Sequence, residues 1–141
     1  MQPKPEQIVG IPLVELTIST GRAASVDSDH QPTTSVLFDK TLCDGIGVDI
    51  KHLRLLRIDG DSMAPDIVNG AYIMFDRTAA TRPFRDGLWI FRLGDAVQVK
   101  RIQQVGPHQY EAHSINPNYR PFTFDDDFQF IGRVVWSDRR W

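Results

Sequence analysis

At 141 residues the chain is the length of one domain with one core, and its 41% hydrophobic and 24% charged residues are ordinary globular proportions. A formal net charge of −2 and a pI near 6.0 supply no general basic field for grasping nucleic acid. The single cysteine, Cys43, rules out an internal disulfide and a cysteine-rich zinc site, which makes a reducing cytoplasm the expected compartment.

Residues 1–10 include Pro3 and Pro5 and little that packs, so they read as a linker or tail, with no signal-peptide pattern. Residues 11–19 are expected to form a strand, Val14, Leu16 and Ile18 on one face and Leu13, Glu15, Thr17 and Ser19 on the other. From Gly21 to Thr34 the chain is small and polar, which is loop composition. Over residues 35–43 the spacing of Phe38 and Leu42 predicts a short helix, broken by Gly45 and Gly47. Leu53 to Ile58 is a short apolar strand closed by Asp59-Gly60.

The next six residues, Gly60-Asp61-Ser62-Met63-Ala64-Pro65, present a serine on a turn. Proline fits the first turn of a helix, where its missing N–H costs nothing, so Pro65 predicts a helix N-terminus at or beside Ser62. The free backbone N–H groups there suit the oxyanion of an attacked carbonyl. Beyond the serine the signal returns to β, over residues 71–76, 87–93, 95–104, 108–114 and 128–136. In the last of these Phe128, Phe130, Val134 and Trp136 are expected on one face. The apolar runs, such as residues 71–75, are far too short to span a bilayer, so no membrane partner is expected. Together these elements predict a mainly β, compact, barrel-like fold with one or two short helices.

Ser62 is a nucleophile only if a base accepts its proton. A Gly-Asp-Ser tripeptide also opens the GDSL-type esterases, which need an Asp-x-x-His after the serine. Here the Asp-x-x-His is Asp49 to His52, upstream, and Tyr110 stands three residues before His113. Lys100 offers a base instead. In the alternating segment Ala96 to Ile102, Val97 and Val99 face one way while Ala96, Gln98, Lys100 and Ile102 face the other. Burial beside apolar groups brings a lysine from about 10.4 toward about 7–8, where a neutral amine is available. Taken singly, a turn serine and a solvated lysine are the ordinary readings, and the two together are what point to chemistry. His30, His52, His108 and His113 lack ligand spacing, and Asp125-Asp126-Asp127 reads as a solvated turn. No metal or cofactor is expected. Met63 reads as packing.

The Gly60 to Pro65 hexapeptide followed by Val99-Lys100-Arg101-Ile102-Gln103 resembles the C-terminal peptidase domain of LexA and of phage CI-type repressors, a Ser-Lys self-cleaving family related to UmuD. Further matches are Ile11-Pro12-Leu13-Val14, Asn69-Gly70, Asn116-Pro117-Asn118-Tyr119 and Ile131-Gly132-Arg133-Val134-Val135-Trp136, so that the resemblance spans residues 11–141. It implies a serine endopeptidase acting on itself, with Ser62 as nucleophile, Lys100 as base and the backbone N–H groups of Ser62 and Met63 as oxyanion donors. By the same resemblance residues 1–10 are a linker or tail, 11–34 the cleavage-site strand and loop, and 35–141 the peptidase and dimerisation core. Relatives cut a small-residue-Gly bond after the Pro-Leu-Val strand, and the corresponding place here is Thr20-Gly21. The implied role is the autoproteolytic and oligomerisation half of a transcriptional repressor in the SOS response to DNA damage. Its implied partners are a second copy or more and a RecA filament, with DNA reached only through an N-terminal helix-turn-helix head that this chain lacks. The alternatives are a UmuD-like accessory of an error-prone polymerase, which its length favours, and a non-cleaving dimerisation module of the same fold.

Overall fold

In a computed structural model, the protein is described over residues 7–14, 34–60, 63, 64, 66, 67 and 69–138. Among these residues nine strands form one mixed sheet. In chain order they are β1 (Ile8–Val14), β2 (Ser35–Asp39), β3 (Leu53–Arg57), β4 (Tyr72–Asp76), β5 (Gly87–Leu93), β6 (Ala96–Gly106), β7 (Gln109–His113), β8 (Phe122–Phe124) and β9 (Phe128–Ser137). Across the sheet the order is β2-β1-β3-β4-β9-β5-β6-β7-β8. One α-helix, α1 (Lys40–Ile46), and two short 3-10 turns complete the described elements. The fold is mainly β, as the sequence predicts.

Residues 35–43 are not the helix that the Phe38–Leu42 spacing suggests. Val36 and Phe38 alternate with exposed Ser35, Leu37 and Asp39, and this two-residue period pairs residues 35–39 with β1 as β2. Phe38 turns onto Trp136, edge to face at 5.2 Å, while Leu42 stays 40% exposed, so the supposed helical pair is never made. The helix begins at Lys40, five residues later than expected, and runs through Gly45 to Ile46. Asp39 is its N-cap, its carboxylate accepting from Thr41 N at 2.7 Å, and Gly47 ends it at φ 83°, a conformation that favours glycine. Strand β1 starts at Ile8, inside the stretch that reads as a tail. Residues 15–19 of the expected first strand lie outside the described residues.

The first strand is internal. It runs antiparallel to β2, from Ile8 against Asp39 to Pro12 against Ser35, and parallel to β3, with Leu13 against Leu55 and Val14 against Leu56. Ile11 is fully buried in a cluster with Cys43, Leu53, Leu55 and Met74. A second cluster joins Leu56, Ile58, Met63, Ile67, Ile73 and Phe75 to Ile90, Val97 and Val99, so β3 and β4 share a core with β5 and β6. The third is aromatic, with Trp89 stacked on Phe84 and Phe91 on Phe124, both at 5.3 Å between centroids. Each such pair adds about 0.5–1.5 kcal/mol beyond the area it buries.

The last strand departs from the simple alternation expected of it. Phe91 pairs with Phe130 but Ile90 with Gly132, and Phe75 pairs with Val134 but Met74 with Trp136. Ile131 and Val135 are therefore extra residues, and each such bulge moves the side chains that follow to the opposite face. Phe128 and Phe130 enter the aromatic cluster, Val134 packs beside Phe75, and Trp136 packs with Leu53 and Met74. The four residues do not share a face.

Candidate active site

The segment that holds the candidate serine leaves the sheet through a narrow neck. Ile58 N donates to Ala71 O at 2.8 Å, Gly70 N to Ile58 O at 2.8 Å and Gly60 N to the Asn69 side-chain oxygen at 2.9 Å. Gly60 has φ 126° and Gly70 φ 87°, values an L side chain rarely adopts, which is why glycine stands on both sides of the neck. Within the segment Ile67 N donates to Met63 O at 2.9 Å, which closes a single turn, and among the described residues no helix is formed there. Met63 and Ile67 are buried and anchor the segment in the core shared by Val97 and Val99. Ser62, together with Asp61, Pro65 and Val68, lies outside the described residues, as do Thr20 and Gly21 of the expected scissile bond.

The neck gives a clean test of conformation against packing. An added Cβ at Gly60 meets nothing within 4 Å, so the cost of Gly60→Ala is conformational alone. We expect a loss of about 1–2 kcal/mol in urea unfolding. Gly45→Ala, inside α1 with equal open space and ordinary φ, should gain about 0.5–1 kcal/mol. Equal effects at the two sites would show that the neck imposes no backbone constraint.

Lys100 sits in β6 opposite Trp89 of β5 and is only 7% exposed. Its Nζ donates to Ser114 Oγ at 2.7 Å and stands 4.9 Å from the centroid of the Tyr119 ring. Burial holds its pKa below the usual lysine range, because the charged form loses hydration there. The alternation expected of β6 is observed. Val97 and Val99 enter one core cluster and Ile102 the aromatic one on the other face.

Ser114 and Tyr119 carry no role in the sequence reading, yet both touch the lysine. The missed signal is register. Arg101 pairs with His113, so one further step along the β6–β7 hairpin brings Lys100 to Ser114. The turn that follows is built on Asn116, whose side-chain oxygen accepts from Asn118 N at 3.0 Å and whose carbonyl accepts from Tyr119 N at 3.1 Å. That turn carries Tyr119 back over the amine. Burial with a neutral hydroxyl as partner disfavours the charge of this lysine relative to a solvated one, while the Tyr119 ring face favours it. Among the described residues no group of three or more His, Cys, Asp or Glu side chains is placed to hold a metal ion, and no helix is long and apolar enough to cross a membrane.

Among curated proteins none matches the chain. The profile of the Peptidase S24-like family matches residues 12–135, a span that includes the neck, the serine segment, Lys100 and all but the end of β9. On that match the chain belongs to the Peptidase S24-like family, the serine peptidase domains of LexA, UmuD and phage CI, in which self-cleavage is the family's activity.

Proposed function

We propose that the protein cuts its own chain between β1 and β2 with Ser62 and Lys100, as the effector half of a LexA/CI-type repressor. The observation that carries this reading is Lys100 itself, buried in β6 and hydrogen-bonded to a hydroxyl, where burial disfavours its charge. The neutral amine takes the proton of Ser62 Oγ as that oxygen bonds to the Thr20 carbonyl carbon. The backbone N–H groups of Ser62 and Met63 hold the resulting oxyanion. Collapse breaks the Thr20–Gly21 C–N bond, and the Lys100 ammonium returns its proton to the departing Gly21 amine. Water, deprotonated by the same lysine, then releases Thr20 from the serine ester.

Parallel pairing of β1 with β3 puts the C-terminal ends of both strands, Val14 and Arg57, at one end of the sheet, which supports a cut in the chain that follows β1. Glycine after the bond leaves no Cβ to obstruct the approach. Threonine before it is β-branched and bulky, so cleavage is slow. In this reading the partners are a second copy of the chain and a RecA filament that accelerates the cut.

Mass spectrometry of the purified protein, with and without RecA filaments, tests the proposal. The downstream product should begin at Gly21, and Thr20→Ala should form it faster. A product beginning at Ala24 or Ser25 would move the bond and leave the dyad standing. Identical fragments from wild type and Ser62→Ala would end the dyad reading.

A further inference from the structure

A segment destined for removal would be expected at the margin of the sheet, yet β1 lies inside it. It forms five register pairs with β2 and two with β3, and Leu13 N donates to Thr34 O at 2.9 Å. Among the described residues β1 is the only sheet neighbour of β2. Val9, Ile11 and Leu13 alternate into the cluster that also takes Cys43 of α1 and Leu53 of β3, with Ile11 fully buried. Withdrawing β1 would thus detach β2 and uncover the inner side of α1.

We infer that the space between β2 and β3 is a strand-binding slot, and that residues 8–14 stay docked in it as a noncovalent ligand when the chain is cut between Val14 and Thr34. The immediate product is a nicked two-piece protein and not a trimmed one. The slot's demands are those of an extended segment with aliphatic side chains at alternate positions, since main-chain bonds on both sides give attachment and every second residue enters the core. The chain's own β1 meets them. That the cut is self-made rests on the function proposed above, whereas the docking follows from the pairing alone.

The test separates the two. A recognition sequence for a site-specific protease is inserted after Asp27 in the Ser62→Ala protein, which is then digested until no uncut band remains on a denaturing gel. The two pieces should still elute as one species on native sizing, in a 1:1 ratio by native mass spectrometry. Excess synthetic peptide spanning residues 7–14 should displace the upstream piece over time. Hydrogen exchange at Val36 and Phe38 should remain within about threefold of the uncut protein. An upstream piece that elutes alone, or a tenfold or greater loss of protection at those two amides, would overturn the slot. The added protease makes the nick, so a wild type that never cleaves itself would sink the dyad and leave this result untouched.

Discussion

Replacing Lys100 with alanine should slow self-cleavage by about 10²–10⁴-fold, the usual contribution of a positioned general base. Wild type should accelerate with pH until the amine is fully neutral, with a midpoint below that of an ordinary lysine, because burial lowers the pKa of Lys100. Quantitative mass spectrometry at pH 6 to 10 gives both curves, and a Lys100→Ala curve parallel to wild type would rule the lysine out as base. Stability supplies a check that needs no cleavage. With a folded pKa below the unfolded value near 10.4, the unfolded chain binds more protons between the two values, and stability rises with pH across that window. Lys100→Met does not titrate. Its stability relative to wild type should therefore fall steadily as the pH is raised toward 10, in urea unfolding of the Ser62→Ala background. A pH-independent difference would mean that the folded protein leaves the lysine pKa unchanged.

Gly132→Val should destabilise the protein by about 3 kcal/mol or more, at the upper end of what overpacking costs. A Cβ at Gly132 would lie 2.4 Å from Phe75 Cδ2 and 3.0 Å from the Asp76 carbonyl oxygen. The phenyl ring is itself fully buried and the carbonyl belongs to the β4 backbone, so neither gives way cheaply. Gly132 lies in β9 between the two bulges, opposite Ile90 of β5 and beside Phe75 and Asp76 of β4. Urea unfolding reads the effect directly. A loss below 1 kcal/mol would show that the two strands have room to part.

The strands of this fold were legible where period and punctuation agree. Gly87–Leu93 emerges from the sequence with both ends right, and the Val97/Val99 face of β6 follows from alternation alone. Three things were hidden, each for its own reason. The β2 strand carries a Phe–Leu spacing that also suits a helix, and only its partner β1 decides between the periods. The Phe122–Phe124 strand is too short to show a period at all. Bulges at Ile131 and Val135 change which side a residue faces without changing composition, so the face of β9 cannot be read by counting. Around the site, Lys100 on a strand was legible from alternation, but its burial was not, because alternation puts it on the face away from Val97 and Val99 and only the packing of that face covers it. Ser114 was not, because it stands one residue past β7 and reaches the lysine only through the hairpin register.

The place of β9 in the sheet also governs when this protein is able to fold during synthesis. It is the last described strand to be made, and it lies between β4 and β5, forming the only hydrogen-bonded seam between the β2-β1-β3-β4 half and the β5-β6-β7-β8 half among the described residues. Until Ser137 clears the ribosome, the nascent chain holds two half-sheets that expose the edges of β4 and β5 and the buried faces of Phe75, Ile90 and Phe91. Such edges are templates for pairing with other chains, and non-local pairing is slow to form. Closing this seam is a post-emergence step, so the nascent chain is open to chaperones and to aggregation until ten-residue β9, the last of the described strands, is delivered.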